Sequence, residues 1–124
     1  MDTERATAES TIEAYLDAVR TGSRQQFDRA FAQGATVSHR SVADDSIQTS
    51  SLDAFVDLVQ SLIKQHGTVE ETLDQLTIDV ADTVGAARAR FTLKLGDQEA
   101  SGHDVFSLAK SSDGWLITHK LYSM

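Results

Sequence analysis

The sequence predicts an α+β fold, with helices first and an antiparallel sheet afterwards. Three observations carry this reading. In the first half, apolar residues recur at three- and four-residue spacing. From about Glu71 onward they alternate with polar ones, and the alternating stretches are joined by short turns containing glycine. Helices in one block and strands in another is the α+β pattern, and the helices must cover the apolar face of the sheet because neither layer buries its apolar side alone.

Helix one is expected from about Thr3 to Arg20, where Ala8, Ile12, Tyr15, Leu16 and Val19 form one stripe. Gly22 is a natural stop. Ser23-Arg24-Gln25-Gln26 matches a capping box and opens a short second helix, with Phe27, Ala30 and Phe31 inward and Gly34 at its end. Ala35 to His39 reads as a short strand on which Val37 and His39 share a face. Arg40 to Thr49 is polar and reads as a loop, with room for a small strand near Ile47. Ser50-Ser51-Leu52-Asp53 caps a third helix whose stripe is Leu52, Phe55, Val56, Val59, Leu62 and Ile63, closed by Gly67.

Four strands follow as a meander. Leu76, Ile78 and Val80 alternate in the first, and Gly85 marks a turn. Ala87, Ala89, Phe91, Leu93 and Leu95 alternate in the second, and Gly96-Asp97 turns the chain into a final hairpin. That hairpin, Glu99 to Tyr122, closes at Ser111-Ser112-Asp113-Gly114. Strict alternation puts Asp104, Phe106 and Leu108 on one face with Trp115, Ile117, His119 and Leu121. An apolar face interrupted by one carboxylate and one imidazole points to a pocket. The opposite face is expected to carry Arg88, Arg90, Lys94 and Lys120 with Thr92, Thr118 and Tyr122.

A chain of 124 residues, 40% hydrophobic, is expected to be one domain over 1–124 with a real core. No apolar run approaches the roughly 18 residues needed to span a bilayer, and the start of the chain is polar without an apolar signal region. The expected compartment is the cytoplasm, with no membrane partner. The absence of cysteine excludes a disulfide frame, a thiolate nucleophile and cysteine-ligated metal. A net charge of −8 repels phosphate backbones, so nucleic acid is not an expected partner. The four histidines lack the spacing of a helical zinc pair, and His39, His119 and Asp104 are the one set that could meet in space. By alternation His103 faces away from Asp104, and His66 suits the last turn of helix three. No metal and no cofactor are expected.

The chain resembles the nuclear transport factor 2-like superfamily, and within it the branch labelled "putative lumazine-binding". The residues that carry the resemblance are Tyr15 to Gly22, Phe31 with Ala35, Phe55, Asp104 to Lys110, Asp113-Gly114-Trp115, Ile117 and Lys120-Leu121-Tyr122. The resemblance implies a cone: a curved antiparallel sheet, cystatin-like, with three helices on its concave face. It also implies a homodimer through the outer sheet face, or alternatively at a sheet edge. Members of the superfamily include steroid isomerases, dehydratases and polyketide cyclases, and fold alone does not choose among them.

The first reading is a small-molecule-binding protein taking a small apolar or aromatic ligand. Its pocket would be lined by Leu16, Val37, Phe55, Val59, Phe91, Phe106 and Ile117, with Tyr15, His39, Asp104 and His119 as polar groups. The second is a cofactor-independent isomerase or dehydratase. Tyr15 resembles the helix-one hydrogen-bond donor of the steroid isomerases, and His39 falls where they place an aspartate base. Asp104 with His119 would then orient or supply a proton. The third is an association module acting through the outer sheet face. Each polar residue also has a plainer reading: Tyr15 as a core tyrosine, His39 as a half-solvated strand end, and Asp104 as a satisfied structural pair with His119 or His39.

Overall fold

Three helices and six strands follow in the expected order in a computed structural model, which describes residues 2–124. They are α1 (Asp2–Thr21), α2 (Arg24–Ala30), β1 (Phe31–Arg40), β2 (Ile47–Ser51), α3 (Leu52–His66), β3 (Val69–Ala81), β4 (Val84–Leu95), β5 (Gln98–Ser111) and β6 (Gly114–Ser123).

The α2 cap forms at the expected Ser23, and the α3 cap falls at Ser51, one residue beyond Ser50, whose acid partner three on would be Asp53. Ser23 Oγ accepts from the Gln26 backbone N–H at 3.4 Å, and Ser51 Oγ accepts from that of Ala54 at 3.1 Å. Gly67, at φ 84°, ends α3 by donating to the Ile63 carbonyl. Two boundaries differ from expectation. Helix α2 stops at Ala30, and Phe31 already begins β1, with Gly34 a positive-φ residue (φ 83°) inside that strand. The β3–β4 turn falls at Asp82-Thr83, with Asp82 left-handed at φ 57°, and Gly85 lies within β4.

The strands form one curved, unclosed sheet in the order β2-β1-β6-β5-β4-β3. All pairings are antiparallel except β1 with β6, which is parallel and runs Thr36 beside His119 through His39 beside Tyr122. Helix α1 lies against β3 and β6, and α3 against β1. Between them is an aromatic core. Tyr15 meets Phe106 edge-on at 5.0 Å and Phe31 at 5.9 Å, while Phe27 meets Phe55 at 90°.

Two bulges govern which side chains enter that core. On β3, Leu73 pairs with Phe91 but Gln75 pairs with Arg90, so Asp74 is an extra residue. On β6, His119 pairs with Ser107 but Ile117 pairs with Leu108, so Thr118 is extra. One added residue inverts the alternation beyond it and bends the strand. Val69 and Glu71 therefore face inward on one side of Asp74, and Ile78 on the other. On β6, Trp115 and Ile117 face inward before Thr118, and Lys120 after it.

Candidate functional site

The β6 bulge overturns the expected partner of Asp104. Asp104 is fully buried, as its inward position on β5 requires, but His119 is turned to the outer face, where its Nδ1 lies 2.6 Å from Thr36 Oγ1. Lys120, expected on the outer face, enters the core instead, 3% exposed, and its Nζ donates to Asp104 Oδ1 at 2.9 Å. Tyr122, also expected outward, turns inward beside it and is half-buried. The Lys120 ammonium lies 4.0 Å from the Tyr122 ring centroid, 5.4 Å from Phe55 and 5.7 Å from Tyr15. Three aromatic faces thus replace part of its hydration.

The β3 bulge adds a residue that alternation from Leu76 hides. Glu71 is 7% exposed, and Tyr15 donates its hydroxyl to Glu71 Oε1 at 2.6 Å. The four groups form one buried cluster of two carboxyls, one ammonium and one phenol. Burial pushes Glu71 well above the usual carboxylate range, and the neighbouring Asp104 adds to this against the opposing effects of Lys120 and the Tyr15 hydrogen bond. Burial also raises the Tyr15 phenol well above its ordinary value, with Glu71 and Asp104 reinforcing it. Tyr122 is raised by burial and then by Asp104. Glu71 Oε2 and Asp104 Oδ2 are buried with no hydrogen-bond partner.

The cluster forms one end of a small cavity of ≈ 90 Å³, which Tyr15, Glu71, Lys120 and Tyr122 line together with apolar side chains of α3, β3 and β4. Three of the expected wall residues, Phe55, Val59 and Phe91, line it. The others do not. Val37, Phe106 and Ile117 are closed into the packed core, and Leu16 lines an outer groove between α1 and β3 beside Glu9 and Glu13. His39 keeps the expected face of β1, but its ring stacks on Tyr122 at 5.1 Å and 18° and is not part of the cavity wall. The structure thus brings Tyr15 and Asp104 together and leaves His39 and His119 apart from them. A wider open groove of ≈ 580 Å³ runs between α2, β1 and α3; within it Arg24 is already paired with Asp28 and Asp53, and it touches no member of the buried cluster.

Among the described residues, no group of three or more His, Asp or Glu side chains is placed to hold a metal ion. No helix among them is long and apolar enough to cross a membrane.

A curved, unclosed six-stranded sheet covered by helices is the architecture of nuclear transport factor 2-like proteins, described also as cystatin-like. An NTF2-like protein of unknown function from Shewanella baltica superposes with TM-score 0.73 at 19% identity, over 97% of this chain and 92% of its own. The Kfla4162 protein of Kribbella flavida gives 0.79 at 15%, over 98% and 90%. A structure described as a putative ketosteroid isomerase from Shewanella frigidimarina gives 0.72 at 14%, over 94% of each chain. At such identities the likeness is one of fold. Residues 3–123 match the family described as "Putative lumazine-binding", and the chain belongs to that family. None of the curated proteins matches it.

Proposed function

We propose that this protein binds a small, largely apolar molecule in the cavity beneath α3, with the Tyr15–Glu71–Asp104–Lys120 cluster as the polar end that orients it. The observation that supports this is the cluster itself. Burying two acids and a lysine is costly, and a simpler core would avoid it. Here they meet at the end of an apolar cavity with acceptor atoms to spare. Apolar walls with a few convergent polar groups are what ligand sites need. The family description, which names lumazine, agrees with a small-molecule role. A ligand of pteridine size needs the cavity to widen beyond ≈ 90 Å³, and Leu58 and Met124 are the exposed residues of its lining. A thermal-shift screen against pteridines, polyketide-like aromatics, fatty acids and lipophilic amines tests the reading. Stabilisation by one class, lost in Phe91→Trp, which fills the cavity, supports it; no stabilisation by any class contradicts it.

An isomerase or dehydratase reading is favoured by one feature, the raised Glu71 carboxyl hydrogen-bonded to Tyr15. In that reading Glu71, rather than His39, moves the proton. The outer sheet face is proposed as a homodimer contact. Val105 and Leu121 lie directly opposite each other there, both exposed, with Arg88 alongside. Sedimentation of the wild type against Val105→Lys/Leu121→Lys checks it: a dimer that dissociates in the variant is the expected result.

A further inference from the structure

The buried cluster has more acceptors than donors and more acids than bases. Tyr15 supplies one hydrogen bond to Glu71 Oε1 and Lys120 one to Asp104 Oδ1, while the second oxygen of each carboxyl has none. Lys120 matches the charge of Asp104 at 2.9 Å, so Glu71 is the acid left without a countercharge. Glu71 also lines the cavity, with Lys120 and among Phe55, Phe91, Tyr122 and aliphatic side chains of α3.

A group that enters here meets the Glu71 side chain, whose second oxygen is buried and unpartnered, beside the Lys120 ammonium. An incoming carboxylate would add a third acid to a site with one base. A neutral alcohol would supply a donor but no charge. An ammonium supplies both. The net charge of −8 also draws cations toward the protein.

From these observations we infer that the cavity takes a small lipophilic amine as its ammonium ion, with an N–H donated to Glu71 Oε2. This rests on reading the cavity as a ligand site, and it names the ligand's chemistry. When the site is empty, a proton on Glu71 occupies the same role. Binding exchanges one for the other. The O–H bond of the neutral Glu71 carboxyl breaks, its electron pair stays on the oxygen, and the proton leaves to solvent. The resulting carboxylate pairs with the intact ammonium ion, and no other covalent bond changes.

The groups facing Glu71 set the pH range. Helix α1 presents Tyr15, with Glu9 and Glu13 on the outer groove that Glu71 also borders. Strand β5 presents Asp104, and β6 presents Lys120 and Tyr122. Strand β4 opposes Glu71 with Leu93, and α3 lines the cavity with apolar residues.

The test uses isobutylamine and its neutral counterpart isobutanol, titrated into the whole protein by 15N–1H NMR between pH 5.5 and 8. The expected result is an amine affinity that rises by about tenfold per pH unit until Glu71 ionises, with about one proton released per amine bound in weakly buffered solution. Isobutanol binding should stay flat with pH. Glu71→Gln should weaken isobutylamine by tenfold or more, and an amide dispersion like that of the wild type in the same spectra shows that the variant is folded. Two results would overturn the inference: amine binding with no pH dependence and no proton release, or amine binding unaltered in Glu71→Gln. Alcohol binding without amine binding sinks the inference and leaves the ligand-site reading standing. No response to either probe counts against both.

Discussion

Replacing Lys120 with methionine gives the sharpest stability prediction. The Lys120 and Asp104 side chains are 4% and 0% exposed and lie 2.9 Å apart. Methionine fills much of the same volume but leaves the Asp104 charge buried without its partner, close to Glu71. Breaking a buried pair from one side costs about 3–5 kcal/mol, because the remaining charge loses both water and its counter-ion. With an unfolding entropy of about 2.1 cal/mol/K per residue over 124 residues, each kcal/mol corresponds to about 4 °C, so the melting temperature should fall by roughly 12–20 °C. Urea unfolding at pH 7.5 is the assay. Removing both partners tests the cause. Lys120→Met/Asp104→Leu should recover to within about 1–2 kcal/mol of the wild type, since an apolar pair of similar volume needs no desolvation of charge. The reasoning is refuted if Lys120→Met loses less than about 1 kcal/mol, the range of a solvent-exposed pair.

Three further predictions rest on the same geometry. The Glu71 carboxyl is raised in the folded state above its ordinary value, so its contribution to stability is present below that ordinary value and is lost as pH rises through the folded one; unfolding free energy should decline with pH by up to about 1.4 kcal/mol per unit in that window, and Glu71→Gln should remove the decline. Tyr15→Phe deletes the 2.6 Å hydrogen bond to Glu71 Oε1 and leaves both oxygens of that carboxyl unpartnered, so denaturant unfolding should show a loss of about 1–3 kcal/mol. A Cβ at Gly102 would strike the Ser123 carbonyl oxygen and lie 2.8 Å from Phe91 Cζ and 3.0 Å from Met124 Cα; Gly102→Ala should cost about 1–3 kcal/mol and shift the NMR resonances of Met124 at the cavity wall.

Most of the architecture was legible because it rests on local rules. The Ser23 and Ser51 caps, the Gly67 stop and the glycine-bearing turns at Gly96 and Gly114 all act within a few residues of where they are read. The inward position of Asp104 was also legible, because β5 alternates without interruption from Asp104 to Leu108. The rest of the site was hidden by the two bulges. Extending the phase of Leu76, Ile78 and Val80 backward puts Thr72 inward and Glu71 outward; the extra residue Asp74 reverses this. Extending the phase of Trp115 and Ile117 forward puts His119 inward and Lys120 outward; Thr118 reverses that. Neither bulge carries a glycine or proline to announce it. One clue was present at each place: past the bulge the apolar alternation breaks down, with Leu121 and Tyr122 adjacent at the end of β6 and Val69 out of phase with Leu76 on β3. The parallel pairing of β1 with β6 was not readable at all, because it joins segments about eighty residues apart through no local pattern.

Lysine acetylation of the native protein, mapped residue by residue, tests the bulge-directed cluster most directly. The chain has four lysines, Lys64, Lys94, Lys110 and Lys120, and only Lys120 is buried. With Thr118 bulged and Lys120 held against Asp104, the other three should react readily while Lys120 stays unmodified until urea unfolds the protein. Labelling of Lys120 at the rate of the other three would mean that it points outward from the sheet, and the buried cluster would not exist.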